Sequence, residues 1–296
     1  MRAMTYPAIE ETKMAVRRHR PWTWCAAGLL VLLAGCSSLS FYRYADWLIL
    51  WQVDHYVDLT SDQRHDLAQR LTPLLARHRH EAIPEYESFL VQFRQRFQRG
   101  LTSQDLDWVY ASYDRLRVDL FDRVVAEGSI LLASVDSRQV RTLEAALQKD
   151  HEKAERLVQA PAPERLKKRA QATLDWLEDW LGSLSKAQEA QIREWSLELP
   201  DTQQAWVSYQ QQRQQELLAL LHQPRTPESV ARELRAMFVD QDHTAPQAYQ
   251  DAIYQMRAAA KAMALAIDQH VTADQRHHAV TKLQRLIDQL HDLRAK

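Results

Sequence analysis

The sequence predicts an all-α protein, a multi-helix bundle of about ten helices, and three observations carry that expectation. The first is glycine scarcity: of five glycines in 296 residues, Gly28 and Gly35 lie within the first 35, leaving Gly100, Gly128 and Gly182. Sheets joined by tight hairpins need more, because hairpin turns call for positive φ. The second is the long runs of Ala, Leu, Gln, Glu, Arg and Lys, all good helix formers. The third is that apolar residues recur in steps of three and four, with Ser, Thr or Asp just ahead of the runs as caps.

Taken in order, the chain opens with a segment outside the bundle. Residues 1–35 read as a signal peptide, in which Arg17, Arg18 and Arg20 precede an apolar run from Trp22 to Leu33. That run is too short to span a bilayer. Glu10 and Glu11 precede the basic cluster, at odds with a positive n-region, so Met14 is a better start than Met1. The stretch Leu33-Ala34-Gly35-Cys36 resembles the lipobox of bacterial lipoproteins. The resemblance implies that the Cys36 thiol takes a diacylglycerol, that cleavage makes Cys36 the first mature residue, and that its new amine is acylated. Several acyl chains on one residue anchor a protein stably, with no transmembrane helix. Ser37 rather than Asp follows the cysteine, which in the lipoprotein sorting pattern implies the outer membrane, facing the periplasm.

The other cysteine, Cys25, lies in the discarded run, so the mature chain holds no disulfide although that compartment would permit one. Stability must come from a core, and the 261 residues left after removing 35 from 296 suffice for one or two domains. The removal takes five basic and two acidic residues, moving the net charge from −1 to −4. A mildly acidic chain is a poor nucleic-acid binder.

In the mature chain Phe41, Tyr44, Leu48, Trp51 and His55 form one stripe of a first helix, within a lipidated N-terminal unit of residues 36–58. Leu59-Thr60-Ser61-Asp62-Gln63 then spells a capping box, Thr60 holding the N–H of Gln63 and Gln63 reaching back to the cap. The frame recurs as Asp136 with Gln139, Ser185 with Gln188 and Thr272 with Gln275, each after a Leu or Val at the staple position. Pro84 suits a first-turn position and Thr102 with Asp105 opens the helix carrying Leu106, Val109, Tyr113, Leu116, Leu120 and Val124. Pro161 and Pro163 separate two helices, and Asp201 with Gln204, Thr226 before Pro227, and Thr244 with Gln247 mark three further starts. Tyr249, Ile253, Met256, Ala260, Met263 and Ile267 form one stripe, and Leu283, Leu286, Leu290 and Leu293 another. Both a bundle and a coiled-coil partner use that spacing.

Two resemblances follow from these residues. The segment from Tyr44-Ala45-Asp46-Trp47-Leu48 to Gln63, and that from Trp180-Leu181-Gly182-Ser183-Leu184-Ser185 through Gln188, Ile192 and Trp195, resemble a family of uncharacterised proteobacterial lipoproteins. That resemblance implies a helical lipoprotein and no assigned activity. The LTxxQ frame resembles the motif found twice in the Spy/CpxP family of helical periplasmic stress proteins, which implies an ATP-independent chaperone or sensor-adaptor. Four frames against two suggest two related halves, residues 59–183 and 184–296.

Catalytic chemistry is hard to place. His78 and His80 are two apart, about 200° around a helix, and Pro84 interrupts the face that His78 shares with Glu81 and Glu85. His277-His278 has the same problem, and His270 on an apolar stripe reads as a packed histidine. Nucleophile elbows, glycine-rich phosphate loops and HExxH are absent from the sequence. The expectation is therefore no enzyme, no metal and no cofactor beyond the lipid on Cys36. Trp176, Trp180, Trp195 and Trp206 sit at helical spacing, either as a tryptophan-rich core or as an exposed apolar surface for a client or partner helix. The function expected is a lipid-anchored binding or scaffold protein with a protein partner or client. A structural part in an envelope complex is the alternative, with a helical periplasmic enzyme as the third reading.

Overall fold

A computed structural model describes residues 42–294; Cys36 and the expected signal peptide lie outside the described residues. Those residues are 88% helical with no strand, as glycine scarcity and helix-former content require. A 3₁₀ turn, Tyr42–Tyr44, leads into α1 (Ala45–Val57), α2 (Ser61–Arg77), a π turn (His78–Ala82) and α3 (Ile83–Gln98). Then follow α4 (Ser103–Ser134), α5 (Ser137–Gln159), α6 (Ala162–Leu181), α7 (Lys186–Glu198), α8 (Gln203–Leu221) and α9 (Pro227–Phe238). The chain ends in α10 (Gln241–Thr244), α11 (Gln247–Gln269) and α12 (Ala273–Arg294). Because α2, the π turn and α3 run on without a break, the described residues form ten long rods besides the short α10.

Most helix starts follow from the caps read in the sequence. Thr60, Thr102, Asp136, Ser185 and Thr226 each accept a bond from the N–H three residues on, with the reciprocal bond in place. Thr272 and Gln275 make the same two bonds ahead of α12. Pro84 takes the first-turn position expected of it, as the second residue of α3; what the sequence does not show is the π turn ahead of it, where Ile83 N–H reaches back to the His78 carbonyl and joins α2 to α3 without a break. Two expected starts differ. The start of α8 is Gln203, and Asp201 bonds the Gln203 N–H while Thr202 caps nothing. Thr244 closes α10 instead of opening α11, its hydroxyl bonding the carbonyls of Ala236 and Asp240.

Three apolar clusters hold the rods together. The first gathers Val57, Leu67 and Leu71 with Val125 and Leu131 of α4, Val140 of α5, Leu217 and Leu221 of α8, and Val230 and Leu234 of α9. A second joins Ile83, Tyr86, Phe89 and Leu90 of α3 to Leu116, Trp180 and the leucines of α12. The third joins Leu174, Leu177 and Leu181 of α6 to Ile192 of α7 and Ala279 of α12. The stripe Leu283, Leu286, Leu290 and Leu293 is buried within the chain, since α12 packs most extensively on α3. Each such leucine contributes about 2 kcal/mol of gross transfer free energy. The stripe on α11 is covered less well: the one buried residue of that helix is Asp268, which lies outside the stripe. Residues 59–183 and 184–296 do not hold separate cores, because the first cluster takes Leu217 to Val239 and the second takes Ile83 to Leu116.

Candidate functional site: paired helix caps and exposed aromatics

The four LTxxQ-type frames meet in two pairs. Gln63 and Gln139 exchange amide hydrogen bonds, Nε2 to Oε1, at 3.1 and 2.6 Å. Each glutamine also accepts from the N–H of its own cap residue, Thr60 or Asp136. Each then donates across to the carbonyl two residues ahead of the partner's cap, Gln63 to Ser134 at 3.3 Å and Gln139 to Asp58 at 3.1 Å. Asp58 has a left-handed backbone, φ 55°, which aims that carbonyl; an Arg138–Asp58 ion pair braces it.

Gln188 and Gln275 repeat the arrangement at 2.9 and 3.0 Å. Their amides reach the carbonyls of His270 and Ser183, again two ahead of the partner's cap. One member of each pair is buried, Gln139 at 1% and Gln275 at 7% exposure, so the amide bonds are made where water competes poorly. Thr102 with Asp105 and Thr226 with Ser229 are capping boxes that lack glutamine. The pairing thus goes with Gln at the third helical position, a choice over Glu that the capping function alone does not demand. That uniform Gln is the signal in the sequence. The first pair lies ahead of Leu184 and the second beyond it, whereas the apolar clusters draw on both stretches.

A family model, a family of unknown function designated DUF6279, matches residues 55–250. The chain belongs to the DUF6279 family. Its match takes in the first glutamine pair and the Ser185 frame and stops ahead of Thr272. No curated protein and no solved structure matches the chain.

In this DUF6279 chain the four tryptophans singled out do not share one exposed surface. Trp180 is 8% exposed and belongs to the second cluster, with Lys282 over its ring. Trp195 packs on the third cluster and stacks on His270 at 6.0 Å, and Trp206 is half-buried. Only Trp176 of the four is exposed, at 48%. Helical spacing put these side chains at regular steps without saying which side of each helix meets a neighbour. The aromatic stripe that does face outward runs from the residue that caps α1 into the helix: Tyr44 and Trp47 are 61% and Trp51 56% exposed. Trp47 stacks on Trp51 at 6.4 Å, and Trp51 on His55 at 6.3 Å.

Titratable groups with shifted pKa values tie helices together. His78, in the π turn, lies between Tyr42 and Tyr86, with Nδ1 3.1 Å and Nε2 3.3 Å from their hydroxyls. Tyr42 donates to the Leu75 carbonyl, so it accepts from Nδ1–H, and Nε2 accepts from Tyr86. Burial, aided by the Arg123 guanidinium, lowers the His78 pKa to about 4. Burial pushes the Asp105 carboxyl up, but bonds from Thr102 and the charges of Arg99 and Arg96 outweigh it and the net shift is down. Asp150 is likewise lowered against burial, by bonds from Lys153 and from Tyr56 of α1. Glu81 and Glu85, candidates beside His78, are paired with Arg123 and Arg115. Among the described residues no group of three His, Cys, Asp or Glu is placed to hold a metal, and no helix is long and apolar enough to cross a membrane. A cleft beside the second glutamine pair, lined by Leu184, Gln188, Trp195 and His270, holds about 10 Å³. That is room for a single water and far below a substrate pocket.

Proposed function

We propose that this protein is a lipoprotein anchored through Cys36 to the outer membrane, with a helical body that faces the periplasm and binds or scaffolds other proteins without catalysis. The observation that carries the reading is the Leu33-Ala34-Gly35-Cys36 motif, which ends six residues ahead of Tyr42, the first of the described residues. A body whose shifted titratable groups are bonded between helices supports a mechanical or binding role over a chemical one. The sharper version is an ATP-independent envelope chaperone or stress adaptor. Its support is the likeness of the four frames to the Spy/CpxP motif. A structural part in an envelope complex is the competing reading.

Metabolic palmitate labelling with membrane fractionation tests the anchor: label on the wild type, none on Cys36→Ala, and co-fractionation with the outer membrane are expected. Label that persists in Cys36→Ala would overturn it. For the chaperone version, the detergent-purified lipoprotein is added at stoichiometric amounts to several unrelated heat-unfolding clients while light scattering is followed. Suppressed aggregation is the expected result, and unchanged aggregation leaves the scaffold role. Crosslinking in intact cells then identifies the neighbours.

A further inference from the structure

The first helix is apolar on two sides. Ile49, Leu50, Val53, Tyr56 and Val57 face inward onto the first cluster, which accounts for one side. Tyr44, Trp47 and Trp51 occupy the other, at the i, i+3, i+7 spacing that forms a continuous stripe. No carboxylate or cation interrupts that stripe between Tyr44 and His55: by helical geometry Asp46 projects from the far side, and Asp54 lies at its flank with Arg64 and the Leu59 N–H bonded to it. Of the other large exposed apolar residues, Val124 and Ile130 share α4 without being neighbours on its surface, and Leu157, Trp176, Leu197 and Tyr254 fall one to a helix. Single exposed apolar residues of that kind are ordinary, whereas three ordered aromatics in a row on one helix are not.

We propose that the Tyr44–Trp47–Trp51 stripe lies in the lipid–water interface of the membrane that holds the Cys36 acyl chains, so that α1 is a second, non-covalent foot of the anchor. This rests on the lipoprotein reading above. The occupant follows from chain length and side-chain chemistry. Tyr44 lies eight positions after Cys36, a span of at most about 29 Å when fully extended, so the lipid confines the stripe to the neighbourhood of the bilayer. Tyr and Trp are the side chains that favour this layer, with an apolar ring for the acyl boundary and an O–H or N–H for the headgroups. A stripe without basic residues needs no anionic lipid, so the partner is a neutral phospholipid surface.

The test uses the lipidated full-length product reconstituted in phosphatidylcholine vesicles with or without acyl-chain-brominated phosphatidylcholine. Seven tryptophans follow Cys36, so bromolipid should quench roughly a quarter of the emission, the share of Trp47 and Trp51. Trp47→Phe with Trp51→Phe should abolish that quenching while leaving circular dichroism unchanged, and Trp176→Phe should leave it intact. Equal quenching, or none, in wild type and the double variant would overturn the proposal and turn the stripe toward a second copy or a partner helix. Palmitate labelling of the same preparation separates the two failures. If the label is absent from Cys36, the anchor reading fails, and quenching of the protein added to preformed vesicles still decides where the stripe lies.

Discussion

At the scale of single residues, the amide pairs separate two roles that the capping motif alone would merge. A solitary capping box accepts Glu or Gln at its third position equally well. Gln139 also has to donate, to Gln63 and to the Asp58 carbonyl, and a carboxylate there would face two oxygens from a buried site. Gln139→Glu should therefore cost about 2–3 kcal/mol in denaturant unfolding, against about 1 kcal/mol for removing a cap by Thr60→Ala. Equal costs would reduce the pair to two independent caps. The frames were legible in the sequence because every participant lies within three residues. Their pairing was not, because the partner sits 76 or 87 residues away. His78 gives a second prediction. Its folded pKa, about 4, is below the ordinary 6.5, so the unfolded chain binds the extra proton between those values and stability falls as pH drops through that window. The wild type should lose about 2 kcal/mol more than His78→Gln between pH 7 and pH 5. Parallel losses in the two proteins would show that His78 takes up its proton freely.

At the scale of elements, helices with local start signals were read correctly and those governed by neighbours were not. Thr102 opens α4 and Pro84 lies in the first turn of α3 as expected, whereas Thr244 closes α10 instead of opening α11 because the carbonyls of Ala236 and Asp240 take its hydroxyl. The stripes on α11 and α12 look alike on paper. In the fold, α12 buries Leu283, Leu286, Leu290 and Leu293, whereas α11 leaves Ile253, Met256 and Met263 only half-covered. Fewer buried contacts mean a lower free energy of local opening. Hydrogen exchange read by mass spectrometry should show the amides of α11 exchanging about tenfold or more faster than those of α12. Matching protection would mean that α11 opens only with the whole molecule.

At the scale of the whole molecule, the all-α class was legible because composition and periodicity are properties of the entire chain. The arrangement of the rods was not, since it depends on contacts between distant segments. Among these, α3 has its largest contact with α12, nearly two hundred residues later, and the last helix also supplies Gln275 to the second amide pair. A chain ended after Gln269 should therefore lose cooperative thermal unfolding while keeping much of its helical circular dichroism. A sharp transition in that truncated chain would show that the first cluster folds without α12. The contact between α3 and α12 also sets a timetable. A polypeptide is made N-terminus first, and loop closure over so long a span is slow. Ile83, Phe89 and Leu90 therefore emerge with their apolar faces bare and stay so until α12 arrives, which makes the interval before α12 is made the period in which this chain itself most needs protection from aggregation.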